Sequence, residues 1–272
     1  MRVTYWGVRG SLPSPGPDTV RYGGHTSCVS VERDGVVLVL DAGSGIRSLG
    51  RSLLGGGQDI VVALTHPHED HLLGFPFFGP LYERDRRIDV LDWTGGTEAY
   101  SLLSMFGGRH VAVPRAQVAA VCRRSDDALA LLRKKGFETR TQRLNHPGGA
   151  TGWRIEADGV AFVHLTDNEI DGPGARTSFD ELVEFCRGAD VLSHDAQYLD
   201  ADLPEKHGWG HSVVGRVCDL AAAAQVGRLV LFHHDPDRTD DELDAVGAMA
   251  ADRLAGDGLA CEPAREGLVL DL

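Results

Sequence analysis

Basic residues are in short supply in this chain of 272 residues: Lys and Arg number 27 against 40 Asp and Glu, a formal net charge of −13. Proteins that grip nucleic acid normally carry a basic footprint, because phosphate contacts are made by Lys and Arg. The overall balance therefore argues against a nucleic-acid partner. A local cluster at Arg84, Arg86 and Arg87 reads equally well as an exposed loop. Cysteine is scarce too. Cys28, Cys122, Cys186, Cys218 and Cys261 are scattered, odd in number and free of C-x-x-C spacing, which excludes a disulfide frame and a thiolate metal site. Such thiols fit a reducing compartment. The opening Met1-Arg2-Val3-Thr4-Tyr5-Trp6-Gly7 has no signal-peptide core, and no apolar run approaches membrane-spanning length. A cytoplasmic protein without a membrane partner is expected. Oligomeric state has no readable signal, and a homodimer remains open.

Histidine, by contrast, is concentrated in one place. The apolar run Ile60-Val61-Val62-Ala63-Leu64 reads as a buried strand. It ends at Thr65-His66-Pro67-His68-Glu69-Asp70-His71. Imidazole nitrogen and carboxylate oxygen are preferred ligands of zinc and its first-row neighbours. Alternate residues of an extended segment point the same way, so His66 and His68 can grip one ion. Asp70 and His71 lie past the bend and can grip a second.

Strands and helices alternate along the rest of the chain in two halves, roughly 1–137 and 138–272, with no low-complexity linker and no short repeat. Val3–Tyr5, Val29–Val31, Val36–Leu40, Ile88–Leu91, Thr139–Leu144, Trp153–Ala157, Val160–Leu165, Asp190–Leu192 and Arg228–Phe232 read as strands. Thr97–Met105, Asp126–Lys135 (with Ser125 as N-cap), Phe179–Arg187, a segment capped by Ser212 and a segment opened by the Thr239 to Glu242 capping box read as helices. The apolar stretch Leu72–Leu81 is expected to cover the site or form its wall. The irregular loops 10–25 and 106–125 are expected to shape a substrate pocket. Asp41, after a strand and beside glycines, suits either a support for the metal site or a turn. His164, inside a strand, reads as structural.

His66-x-His68-x-Asp70-His71 resembles the metal signature of the metallo-β-lactamase fold hydrolases. Trp6-Gly7-Val8-Arg9-Gly10-Ser11 and Tyr22-Gly23-Gly24-His25-Thr26-Ser27-Cys28 are similar to the opening of that family's cyclic-phosphate phosphodiesterases, although His25 stands where the group usually carries Asn. The strand-end clusters Asn145-His146-Pro147-Gly148-Gly149, Thr166-Asp167-Asn168-Glu169, Ser193-His194-Asp195-Ala196-Gln197-Tyr198, Gly210-His211-Ser212 and His233-His234-Asp235 resemble the remaining motifs of the phosphodiesterase branch, which includes tRNase Z.

The resemblance covers nearly the whole chain. It implies one domain over 1–272 with an α/β (α+β) architecture, the four-layer αββα sandwich of two mixed sheets flanked by helices. It implies two divalent metal ions, zinc foremost, with manganese or iron also accepted by such donors. His66, His68 and His146 would hold one ion, and Asp70, His71 and His233 the other, with Asp167 between them. His234 should point elsewhere. His211, oriented by Asp195, would be the general acid. The implied activity is hydrolysis of a phosphodiester by a metal-bound hydroxide. A small cyclic phosphodiester, either a cyclic nucleotide or a ribose cyclic phosphate, fits the acidic chain best. A tRNase Z-like endonuclease and a non-catalytic metal-binding sensor are the alternatives.

Overall fold

The structure, a computed structural model, describes the chain except residues 97, 98, 109, 110, 125 and 204. Strands β1 (Arg2–Gly7), β2 (Cys28–Arg33) and β3 (Val36–Leu40) form an antiparallel meander. The turn between β2 and β3 is Asp34-Gly35, both at positive φ, the geometry that lets a two-residue hairpin loop follow the strand twist. Helix α1 (Ile46–Leu53) crosses to β4 (Asp59–Ala63), which lies parallel to β3. The short helix α2 (Glu69–Leu72) follows, and β5 (Arg87–Leu91) and β6 (Val121–Arg124) continue the parallel part.

Helix α3 (Asp126–Lys134) leads into the second half. There β7 (Glu138–Leu144), β8 (Ala150–Ala157) and β9 (Val160–Leu165) are antiparallel neighbours. Helix α4 (Phe179–Cys186), β10 (Val191–Asp195), α5 (Val214–Ala223), β11 (Arg228–Phe232), α6 (Asp240–Leu254) and β12 (Ala260–Pro263) then alternate, and β10, β11 and β12 run parallel to β9. The last strand, β13 (Val269–Asp271), returns to pair with β1. The result is a seven-stranded sheet, β13-β1-β2-β3-β4-β5-β6, and a six-stranded sheet, β12-β11-β10-β9-β8-β7. Among the described residues, no helix is long and apolar enough to cross a membrane.

Side-chain alternation explains why the sheets stack. In β3, Val36, Leu38 and Leu40 face the core shared with the other sheet, while Val37 and Val39 face the layer of α1. In β11, Val230 and Phe232 join that shared core, while Leu229 and Leu231 face the layer of α4, α5 and α6. A strand buried on both faces reads as an unbroken apolar run, as these do. Capping fixes where two of the outer helices begin. Ser178 and Thr239 each accept from the backbone N–H three residues on, while Glu181 and Glu242 reach back.

Several local expectations change. The proposed helix over Thr97–Met105 is instead a bridge between Trp93 and Tyr100 followed by a 3₁₀ turn at Leu102–Met105. Residues 97 and 98, and the expected cap Ser125, lie outside the described residues. Ser212 does not cap α5. Its hydroxyl donates to the Asn168 carbonyl and accepts from the Ile170 N–H, so it ties two loops together. Leu72–Leu81 does not wall the site: Leu72, Phe75, Phe78 and Leu81 are buried in the outer layer with Ile46 and Leu49 of α1. The strands β6, β12 and β13 have no clear counterpart in the sequence reading.

Removing the Thr239 cap should be a clean test of the local argument. Thr239→Ala is expected to cost about 1 kcal/mol of stability in denaturant unfolding, because the Glu242 backbone N–H of α6 loses its partner while no core atom is removed.

Candidate metal centre

The parallel registers bring the strand ends level. Asp195 pairs with Phe232, and His194 with Leu165, so Asp167, Asp195 and His233 leave one edge of the second sheet. In the first sheet Leu40 pairs with Ala63, which sets Asp41 beside Thr65 at the facing edge. Asp41, Asp167 and His233 all have φ near +60° (64°, 58° and 59°). Non-glycine residues avoid this region, and such strain collects at functional sites. Each of the three re-aims its side chain as the chain leaves a strand.

All nine residues singled out in the sequence meet here. The ligand atoms of His66, His68 and His146 form one convergent set, and those of Asp70, His71 and His233 a second, each within 4.8 Å of one another. His146 Nε2 lies 3.0 Å from His68 Nδ1. His71 Nε2 lies 3.3 Å from His233 Nε2, and Asp70 Oδ2 lies 3.1 Å from the first and 3.2 Å from the second. Asp167 stands between the sets. Its Oδ1 is 3.6 Å from His66 Nε2 and 3.7 Å from His146 Nε2, while its Oδ2 is 3.2 Å from both His71 Nε2 and His233 Nε2.

The outer nitrogens of the histidines are already committed. His71 Nδ1 contacts Asp41 Oδ2 at 2.8 Å, His146 Nδ1 the Gly210 carbonyl at 3.0 Å, and His233 Nδ1 Gln197 Oε1 at 2.9 Å. Each acceptor draws the proton to Nδ1 and leaves the lone pair on Nε2, aimed inward. His66 Nε2 is fully buried with no hydrogen-bond partner. An orphaned, buried imidazole nitrogen beside six other convergent donors fits a divalent cation better than it fits a protein hydrogen bond. The residues present therefore suit the metal that such a donor set takes.

Electrostatics separate the two sets. Burial lowers His66 well below the ordinary imidazole range and also lowers His146 and His68, so these offer neutral lone pairs. Burial opposes charge on His71 too, but Asp70, Asp167 and Asp41 outweigh it and raise this imidazole well above its ordinary value. Asp70 and Asp167 are held well below the carboxylate range, since the surrounding imidazoles outweigh burial. A proton on the second set does what a bound cation does: it supplies positive charge to carboxylates that have lost water.

His211 lies over the two sets, its ring 5.3 Å from that of His146 and 5.1 Å from that of His233. Its Nδ1 lies 2.7 Å from Asp195 Oδ2, which leaves Nε2 as the nitrogen not engaged by that carboxylate. Asp195 is itself fixed by the backbone N–H groups of Asn168 and Gln197. Burial opposes a charge on His211, but the Asp195 carboxylate and its hydrogen bond prevail and lift the imidazole to about 9.

Other residues emerge only in three dimensions. Asp41 is a support for His71 and not only a turn residue; it also accepts from the Thr65 N–H and from the Ser27 hydroxyl. Gln197 orients His233, and the Ser11 N–H donates to Asp70 Oδ2 at 2.8 Å. Glu169 accepts from the Gly208 and Gly210 N–H groups and so holds the loop whose carbonyl orients His146. Ser11, Glu169 and Gln197 stood inside the recognised motifs, but nothing in their spacing announces these roles. His234 points away, to the Ala264 carbonyl, and His25 contacts Ser44. His164 packs against Phe162 and Phe232, and burial lowers it to about 3. Two cavities flank the His146–Gly149 loop, one of about 480 Å³ and one of about 270 Å³ walled by Trp93 and Tyr100. No described residue of 106–125 lines either of them.

Residues 38–234 match the Beta-lactamase superfamily domain. A Ribonuclease Z of Thermoplasma acidophilum is 39% identical, with 89% of this chain and 89% of that protein covered. The metallo-beta-lactamase fold protein YhfI of Bacillus subtilis superposes with a TM-score of 0.70 at 16% identity, covering 99% and 98% of the two chains. Human tRNase Z, short form, gives 0.64 at 20% identity over 100% and 99%.

Two substitutions probe the donor set. His66→Ala and Asp167→Ala should each lose bound metal, read by elemental analysis of the purified protein, whereas His164→Gln should retain it. Asp41→Asn should weaken metal binding by roughly 10–100-fold, the usual consequence of disturbing the group that orients a ligand. Full metal content in both ligand variants would remove those residues from the site.

Proposed function

The chain belongs to the β-lactamase superfamily, and from that premise we propose that it is a metal-dependent phosphodiesterase acting on a small phosphodiester. The observation that carries this reading is the His211–Asp195 pair, 2.7 Å apart and standing over both donor sets. A site that only stored or sensed metal would have no use for a buried, charge-stabilised imidazole beside its ligands.

Two divalent ions, zinc foremost and manganese or iron as alternatives, would supply a water that ionises near neutral pH and positive charge against the phosphate oxygens. His66, His68 and His146 would hold one ion and Asp70, His71 and His233 the other, with one oxygen of Asp167 toward each. The chain's own residues do the rest. Asp41, Gln197 and the Gly210 carbonyl keep the imidazoles in one tautomer and orientation. As water adds to phosphorus and the bond to the leaving oxygen breaks, that oxygen takes the proton from His211 Nε2. The imidazole becomes neutral while Asp195 keeps its orientation. An acid raised to about 9 is charged at neutral pH and so available to donate.

The acidic balance of −13 supports a small cyclic phosphodiester, a cyclic nucleotide or a ribose cyclic phosphate, over a large polyanion. The second reading, a tRNase Z-like RNA endonuclease, draws on the relatives named Ribonuclease Z. Against it, β8 and β9 are joined by the tight Asp158-Gly159 turn, and among the described residues no basic arm leaves the second sheet. The shared core between the sheets supports treating residues 1–272 as one domain. Free Cys28, Cys186, Cys218 and Cys261 support a cytoplasmic setting.

His211→Ala should keep the metals yet slow turnover by roughly 10²–10⁴-fold on an alkyl phosphodiester. The loss should shrink on a nitrophenyl ester, whose leaving group departs without a proton. Asp195→Asn should resemble His211→Ala, and the double variant should be little worse than either, since groups acting as a unit are not additive. Equal loss on activated and unactivated esters would make His211 a phosphate-positioning group and not the acid. β-Lactams should not be opened, and efficient β-lactam turnover without phosphodiester turnover would overturn the reading.

A further inference from the structure

The cavity of about 480 Å³ beside His146 has two arginines in its lining, Arg143 and Arg176. Its size suits a piece of a small ligand. Most arginines of this acidic chain are matched to a carboxylate: Arg2 to Asp271, Arg33 to Asp158, Arg216 to Asp171 and Arg253 to Asp219, among others. Arg143 and Arg176 are exposed and, among the described residues, have no acidic partner. The one acid in the lining, Glu169, already accepts from two backbone N–H groups, and His207 lies 3.7 Å from it. Its charge is thus held away from the guanidinium groups.

The backbone beneath the two arginines is stitched together. The Arg143 carbonyl accepts from the Thr177 hydroxyl, and Asn145 Oδ1 accepts from the N–H groups of both Arg176 and Thr177, while Asn145 Nδ2 donates to the Thr177 carbonyl. Asn145 immediately precedes His146. The backbone that carries the two unmatched arginines is therefore held at a fixed place relative to a metal-ligand candidate, and Gly148, Gly172 and Gly174 line the cavity beside them. Guanidinium is the side chain best shaped for phosphate, which it can bind through two parallel N–H···O bonds.

We propose that Arg143 and Arg176 form a second phosphate subsite, so that the substrate is a phosphodiester carrying a further phosphate group beyond the one that is cleaved. This rests on the phosphodiesterase reading and narrows it. A simple cyclic mononucleotide fills the metal site and leaves the arginines empty, whereas a nucleotide with a second phosphate engages both.

The test compares adenosine 3′,5′-bisphosphate with adenosine 5′-monophosphate by calorimetry on the metal-loaded protein. The wild type should bind the bisphosphate at least about 10-fold more tightly, the size of one charge-assisted contact. Arg143→Gln/Arg176→Gln should bind the two alike, with metal content and turnover of bis(p-nitrophenyl) phosphate unchanged. Single Gln variants should fall between. Equal affinities in the wild type, or a preference that survives in the double variant, overturns the subsite. Turnover of the nitrophenyl diester judges the phosphodiesterase reading separately, because that ester has no second phosphate and the calorimetry needs no cleavage.

Discussion

Everything in this molecule defers to the cost of burying charge. Asp41, Asp70, Asp167 and Asp195 have almost no exposure, and they meet at the edge where the two sheets face each other. An isolated carboxylate in that position would simply take up a proton. Asp70 and Asp167 are instead held well below the carboxylate range by the imidazoles around them, His71 lies against Asp41 and His211 against Asp195. The arrangement is nonetheless short of positive charge. Three carboxylates converge on His71, and His66 has a buried nitrogen with no partner. A divalent cation held by these donors would relieve both imbalances, which is the physical reason to regard this as a candidate metal centre and not as a polar core.

The fold makes that concentration achievable. Parallel strands in each sheet end at the same level, so β3, β4, β9, β10 and β11 all deliver polar residues to one edge without bending the strands. Their interiors are mainly apolar and sit between core layers, so the frame is stiff where the site needs it to be. Positive φ at Asp41, Asp167 and His233 is local strain held by this frame. Glycine at 43 serves the same end: a Cβ there would lie 2.2 Å from the Asp70 carbonyl oxygen, so the loop after β3 can approach the ligand loop only without a side chain.

What the sequence discloses follows from the range of each interaction. The strands of the core were legible because burial on alternate faces leaves apolar runs, and His66 to His71 were legible because the ligands are adjacent in the chain. His146, Asp167, Asp195, His211 and His233 gained meaning only through resemblance, since each is a single polar residue at a strand end or in a loop. The tautomer-setting contacts were not legible at all. Asp41 to His71, Gln197 to His233 and the Gly210 carbonyl to His146 link residues 30, 36 and 64 positions apart. Ser212 was misread for a related reason: a hydroxyl two residues before a helix has the look of a cap, but the loop at 168–170 competes for it and wins. Leu72–Leu81 was misplaced because apolar character announces burial without saying on which side of a sheet.

Net charge and local charge also answer different questions. A balance of −13 acts at long range and is screened over about 8–10 Å at ordinary ionic strength, so it weakens the attraction of a long polyanion to the whole surface. It says little about a phosphate already inside a cavity, where the nearest groups decide. There the lining holds Arg143, Arg176 and the donor-set imidazole of His146, and its acid, Glu169, is engaged by two backbone N–H groups. An acidic exterior with a basic recess discriminates by size as well as by sign. A small anion reaches the recess at modest cost, while an extended nucleic acid must bring many phosphates past Asp and Glu to place one.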